Sequence, residues 1–132
     1  MLNRRSFVSL AVACALPFAA SAAETIEYTP GVIEEALAEG KTVLVDYAAE
    51  WCTTCHRQQR VIGSLRGANP AYSDAMTFVT VDWDQYGRHA VATSRNIPRR
   101  STLILLRGDQ ELGRIVAGTS QSQIKALLDL GL

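Results

Sequence analysis

The chain has 132 residues, 48% of them hydrophobic, with 13 basic and 13 acidic side chains and a formal net charge of zero. That is enough for one domain with an ordinary core, and so even a charge balance gives no footing for nucleic acid or an anionic membrane surface. The three cysteines are too few for a disulfide-stapled scaffold.

The first 23 residues read as a leader. Arg4 and Arg5 precede an apolar stretch over residues 7–16, then Pro17 and the small-residue run Ala19-Ala20-Ser21-Ala22-Ala23. A basic start, a short apolar core and an A-x-A-like site make a cleavable secretory signal, with the cut expected after Ala22 or Ala23. The apolar core is too short to span a bilayer. Asn3-Arg4-Arg5-Ser6-Phe7-Val8 is similar to a twin-arginine export signal, which leaves that route and the Sec route both open. Ala11-Val12-Ala13-Cys14 is a poor lipobox, so Cys14 is expected to leave with residues 1–23. The mature domain, residues 24–132, is then expected to be periplasmic or otherwise exported and soluble, with 11 basic and 13 acidic residues and with Cys52 and Cys55 as its thiols.

Thr29-Pro30 offers an N-cap and a first-turn proline. The helix it opens carries Ile33, Ala36 and Leu37 on one face and Glu34, Glu35 and Glu39 outside, and Gly40 ends it. Residues 42–47 are apolar enough for a strand covered on both faces. Past Glu50-Trp51-Cys52-Thr53-Thr54-Cys55-His56, the spacing predicts a helix from Cys55 with Val61, Ile62 and Leu65 inward, closing at Gly67. Asn69-Pro70 caps a short turn through Ala75. Residues 77–83 form a second buried strand, and residues 86–95 a more polar helix ending at Asn96. Residues 102–106 and 111–117 pair as a hairpin across Arg107-Gly108-Asp109-Gln110. Ser120-x-x-Gln123 is a capping box for a last helix with Ile124, Leu127 and Leu128 inward, stopped by Gly131. The order predicts an α/β fold: one mixed central sheet of about four strands, part parallel and part antiparallel, flanked by helices on both faces.

The chemistry gathers at Cys52-Thr53-Thr54-Cys55, between the first buried strand and the helix after it. A helix N-terminus presents free N–H groups and partial positive charge, which stabilise a thiolate and lower a cysteine's pKa toward neutrality. A second thiol one turn along can attack a mixed disulfide and release a product. The pair therefore reads as a dithiol–disulfide exchange site.

From about Thr29 to Leu132 these residues resemble the thioredoxin family. Val43-Leu44-Val45-Asp46-Tyr47-Ala48-Ala49-Glu50-Trp51-Cys52-x-x-Cys55 matches the family's strand, buried aspartate and active site without a gap. Val81-Asp82-Trp83-Asp84 and residues 102–120 follow its later strands and final hairpin. The resemblance implies a thioredoxin-like fold and a redox-active Cys52–Cys55 disulfide in place of any cofactor. It makes Cys52 the more exposed, attacking thiol, Cys55 the resolving one, and Asp46 the buried carboxylate that handles the proton of Cys55. Trp51, Thr53, Thr54, Arg100 and Ser101 are placed at the substrate groove, with Trp51 beside the thiols and Thr53-Thr54 tuning the potential.

Three positions depart from the family pattern. Ser101 stands where the family has a cis-proline facing the dithiol; Pro98 is three residues too early, and a non-proline cis bond costs about 2.5–4 kcal/mol. Thr80 occupies the place of a lysine that neighbours the aspartate. Arg60 replaces a proline that kinks the helix after the dithiol. Arg99 and Arg100 are unusual beside such a site and suit either an acidic partner surface with a stabilised Cys52 thiolate or plain solvation.

The preferred expectation is an exported thiol–disulfide oxidoreductase, a reductase or thiol relay. Its substrates would be disulfides or thiols of exported proteins, and a membrane thiol-electron carrier its donor. Two alternatives stand beside it. Cys52 and Cys55, with His56 or His89, offer soft ligands to copper(I) or an iron–sulfur cluster. Cys52-Thr53-Thr54-Cys55-His56 also fits the c-type haem attachment pattern C-x-x-C-H.

Overall fold

The computed structural model describes residues 24–132; the leader assigned to residues 1–23 lies outside them. The elements in order are β1 (Ile26–Glu27), α1 (Val32–Ala38), β2 (Thr42–Ala48), α2 (Thr53–Ala68), α3 (Ala71–Ala75), β3 (Met76–Asp82), α4 (Trp83–Tyr86), α5 (Ala90–Thr93), β4 (Thr102–Arg107), β5 (Gln110–Val116) and α6 (Gln121–Asp129). The five strands form one sheet in the order β1-β3-β2-β4-β5. β2 runs parallel to β3 and antiparallel to β4. The mixed sheet is therefore as expected, with the two-residue β1 added at its parallel edge.

Every residue of β2 is buried, and its alternation divides the core. Val43, Val45 and Tyr47 join Val79, Val81, Ile104 and Leu106 on the face that packs Ile33 of α1. Leu44, with Phe78, Leu103 and Leu105, meets Ile62 and Leu65 of α2 and Ile124 and Leu128 of α6 on the other. A strand pleat sends successive side chains to opposite faces, so Asp46, two residues beyond Leu44, lies on the α2 side.

Local boundaries correct the sequence reading at four places. α1 is capped by Gly31, at φ 94°, and not by Thr29. α2 begins at Thr53, two residues before Cys55, and runs on to Ala68. Trp83 starts α4 and does not end β3. The single helix expected over residues 86–95 is replaced by two short turns, α4 and α5. A side chain at Gly87 would lie 2.7 Å from the Trp83 carbonyl oxygen and 2.9 Å from its ring, so the chain turns there on a glycine pressed against an indole.

Candidate active site

Cys52 is the N-cap of α2. Its extended backbone (φ −87°, ψ 105°) turns the chain from β2 into the helix, and its sulfur accepts the Cys55 backbone N–H at 3.1 Å. Cys52 and Cys55 are joined as a disulfide with their Cα atoms 5.2 Å apart. No acidic residue stands in the first turn of α2 to oppose a thiolate. Cys52 is 2% exposed and Cys55 0%. Cys52 is thus the more accessible of the two, by a narrow margin.

The pair is walled by Ala48 and Ala49 at the end of β2 and by Trp83. Trp51, next to Cys52 in the chain, is 59% exposed. Its indole N–H reaches the two carboxylate oxygens of Asp84 at 2.9 and 3.1 Å, and the Arg100 guanidinium lies 4.4 Å over its ring. Such a stacked cation is held by the ring's negative face, so Arg100 and Trp51 border the site as one unit. Thr53 is exposed and Thr54 half-buried on the first turn of α2. A cleft of about 520 Å³ beside this turn is lined by Glu50, Trp51, His56, Gln59 and Asp84.

Ser101 faces the disulfide. No peptide bond among the described residues is cis, so the Arg100–Ser101 bond is trans, and Ser101 instead takes a left-handed backbone with φ 63°. For a non-glycine residue that conformation costs on the order of 1–2 kcal/mol. Three bonds hold it: the Ser101 N–H donates to Tyr47 O at 2.7 Å, and its carbonyl accepts from Ala117 N–H at 2.8 Å and from Gln58 Nε2 at 2.9 Å. The hydroxyl, fully buried, then sits 3.1 Å from Cys52 Sγ and 3.1 Å from Cys55 Sγ.

Asp46 is 6% exposed. One carboxylate oxygen accepts from Gln59 Nε2 at 3.1 Å, and the other is buried without a partner. Gln59 is one turn beyond Cys55 on α2, which places Asp46 beneath the helix that carries Cys55. Burial pushes its pKa up to about 6, against a smaller opposing pull from the Gln59 amide. Thr80 stands opposite it in the β2–β3 register. A second cleft, of about 370 Å³, reaches Asp46 past Gln59, Arg66 and Phe78.

Gln58 and Trp83 were not singled out in the sequence as site residues. Gln58 is fully buried and clamps two carbonyls, Ser101 O and Gly118 O, each at 2.9 Å. Its signal was available: it falls on the buried stripe Cys55, Ile62 and Leu65 of α2, where a polar side chain needs a partner. His56 and His89 are both exposed. Among the described residues no group of three His, Cys, Asp or Glu side chains could hold a metal ion.

Comparison with known proteins agrees with this geometry. The Thioredoxin family profile matches residues 24–130. Thioredoxin H2-1 of Oryza sativa subsp. japonica is 30% identical over 87 residues, 66% of this chain and 59% of the relative. The chain thus spans about three-fifths of the plant thioredoxin's length. Thioredoxin of Buchnera aphidicola is 28% identical over 109 residues, covering 81% of this chain and 94% of that one. The crystal structure of Trxlp from Edwardsiella tarda EIB202 superposes with a TM-score of 0.67 at 33% identity, over 78% of this chain and 98% of the other. A Schistosoma mansoni thioredoxin pre-protein gives a TM-score of 0.65 at 26% identity, over 83% and 99%. With a profile that covers residues 24–130 and a disulfide at the head of the helix after the central strand, the chain belongs to the thioredoxin family.

Proposed function

We propose that the protein is an exported thiol–disulfide oxidoreductase, a reductase or thiol relay that works through Cys52 and Cys55. The observation that carries this reading is the disulfide itself, set at the N-terminus of α2 with no acidic residue in the first turn. In the reduced protein the Cys52 thiolate attacks a substrate disulfide. A Cys52–substrate bond forms, the substrate S–S bond breaks, and the departing sulfur takes up a proton. Asp46 accepts the proton of Cys55, whose thiolate attacks Cys52. The Cys52–Cys55 bond forms and the second substrate sulfur leaves as a thiol. Two electrons have then passed to the substrate, and a dithiol donor must return them. In an oxidising compartment that donor is a membrane thiol-electron carrier, and the substrates are disulfides of exported proteins. The leader features of residues 1–23 support export.

The test is dithiothreitol-driven reduction of insulin by the purified protein. Cys52→Ser is expected to abolish it and Cys55→Ser to accumulate the mixed disulfide; exchange that survives Cys52→Ser defeats the reading. Direction is read from the reduction potential. A value near −270 mV supports a reductase, whereas one near −120 mV makes the protein an oxidant, both being about the values of the known extremes.

A further inference from the structure

We propose that Ser101 is a catalytic residue: its hydroxyl donates a hydrogen bond to whichever sulfur of the pair carries negative charge, first Cys52 and then Cys55. The proposal deepens the exchange reading above and rests on it. Its basis is geometric. One fully buried oxygen lies 3.1 Å from each of the two sulfurs, and a hydroxyl has a single proton to give and can rotate to give it in either direction. The sulfurs of a closed disulfide are weak acceptors. A thiolate is a charged one, and a bond to a charged acceptor is roughly twice as strong as a neutral one. The hydroxyl therefore favours the states in which a thiolate is present, and it does so at both half-reactions.

The donor is also fixed in advance. Its backbone N–H and carbonyl are tied to Tyr47, Ala117 and Gln58, so no loop has to be ordered when charge develops. Gln58 is carried by the same helix as the cysteines, three residues past Cys55, and acts as a positioning residue for Ser101. The charged and titratable groups around the pair are Arg100 on the Trp51 ring, Glu27, Glu50, His56, Asp82 and Asp84 along the adjoining cleft, and Asp46 bonded to Gln59. None of these makes a hydrogen bond to a sulfur; among the described residues the donors that reach one are the Cys55 N–H and the Ser101 hydroxyl.

Replacing the hydroxyl need not disturb the fold. Glycine adopts a φ of 63° without strain, so Ser101→Gly deletes the donor from a backbone that suits the substitute, and Ser101→Ala deletes it while keeping the Cβ. In the full-length protein, the pH midpoint for iodoacetamide alkylation of Cys52 is expected to rise by about one pH unit in both variants. Above both midpoints the dithiol–disulfide equilibrium moves about tenfold toward the disulfide, a potential about 30 mV lower. Thermal melting checks that both variants are folded. An unchanged alkylation midpoint, or a shift confined to one variant, overturns the proposal, the second because it reports backbone change and not the lost hydroxyl. These readouts do not depend on turnover. A wild-type protein that fails to reduce insulin defeats the exchange reading, while unmoved midpoints in an active protein defeat the role of Ser101 alone.

Discussion

Asp46 shows what a single buried carboxyl costs and returns. Its pKa of about 6 lies above the ordinary value of 3.8 because burial disfavours the anion. Between those two pH values the folded protein keeps a proton that the unfolded chain has released, so stability falls as pH rises through this window. Above about pH 6 the whole penalty is present, on the order of 3 kcal/mol. Asp46→Asn is therefore expected to resist urea better than the wild type by about 2–3 kcal/mol at pH 8, with the gap closing by pH 4. The same variant is expected to resolve the mixed disulfide more slowly at pH 7, followed by quenched-flow trapping, because it offers Cys55 no base. Equal urea midpoints at pH 8 would mean that the carboxylate is not strained by burial. The aspartate was readable from its place six residues before Cys52. Thr80 in the place of a neighbouring lysine was readable as well, whereas the bond from Gln59, which reaches back from the next helix to one oxygen and leaves the other unpartnered, was not.

At the scale of the element, α2 does two jobs: it displays the thiols and it fastens the loop that faces them. Gln58→Leu keeps the bulk but removes both amide bonds, to Ser101 O and Gly118 O. The expected loss is about 1–3 kcal/mol in urea unfolding, together with a rise in the Cys52 alkylation midpoint as the hydroxyl loses its fixed position. A loss of stability with no change in that midpoint would limit Gln58 to a packing role. The sequence displayed this helix clearly, because Ile62 and Leu65 recur at the helical period, but it put the start at Cys55. The N-cap identity of Cys52 rests on a sulfur accepting an N–H, which falls outside the Ser, Thr, Asp and Asn signals for caps. Elements that own little pattern were the ones misread. β1 has two exposed residues, too few for any periodicity to show. The break between α4 and α5 comes from Gly87 lying against Trp83, a close approach that no count along the chain contains.

Over the whole molecule, the central strand β2 is buried on both faces and connects the two halves of the core, with the disulfide just past its end. A closed loop this short still restricts the unfolded chain, by about 2 kcal/mol in the chain-entropy relation. Dithiothreitol is expected to lower the unfolding free energy by about that amount, read from urea midpoints with and without the reductant. No change on reduction would mean that the reduced site recovers in thiolate contacts what the chain loses in restraint. The broad architecture was legible because strands buried on both faces and a capped last helix leave strong marks. The place of Ser101 opposite the dithiol was legible through the resemblance, but its left-handed backbone and its 3.1 Å reach to both sulfurs were not, since they depend on bonds to Tyr47, Gln58 and Ala117 from other parts of the chain.

The left-handed residues carry a last consequence, for how the chain tolerates change. Asn96, Ser101 and Ala117 all sit at positive φ without being glycine. In a library of every substitution at these sites, selected first for folding and then for thiol exchange, glycine should survive the first screen at all three positions. The second screen should retain it at Asn96 and Ala117 and deplete it at Ser101. Comparing the two screens would then separate a residue kept for its shape from one kept for its oxygen.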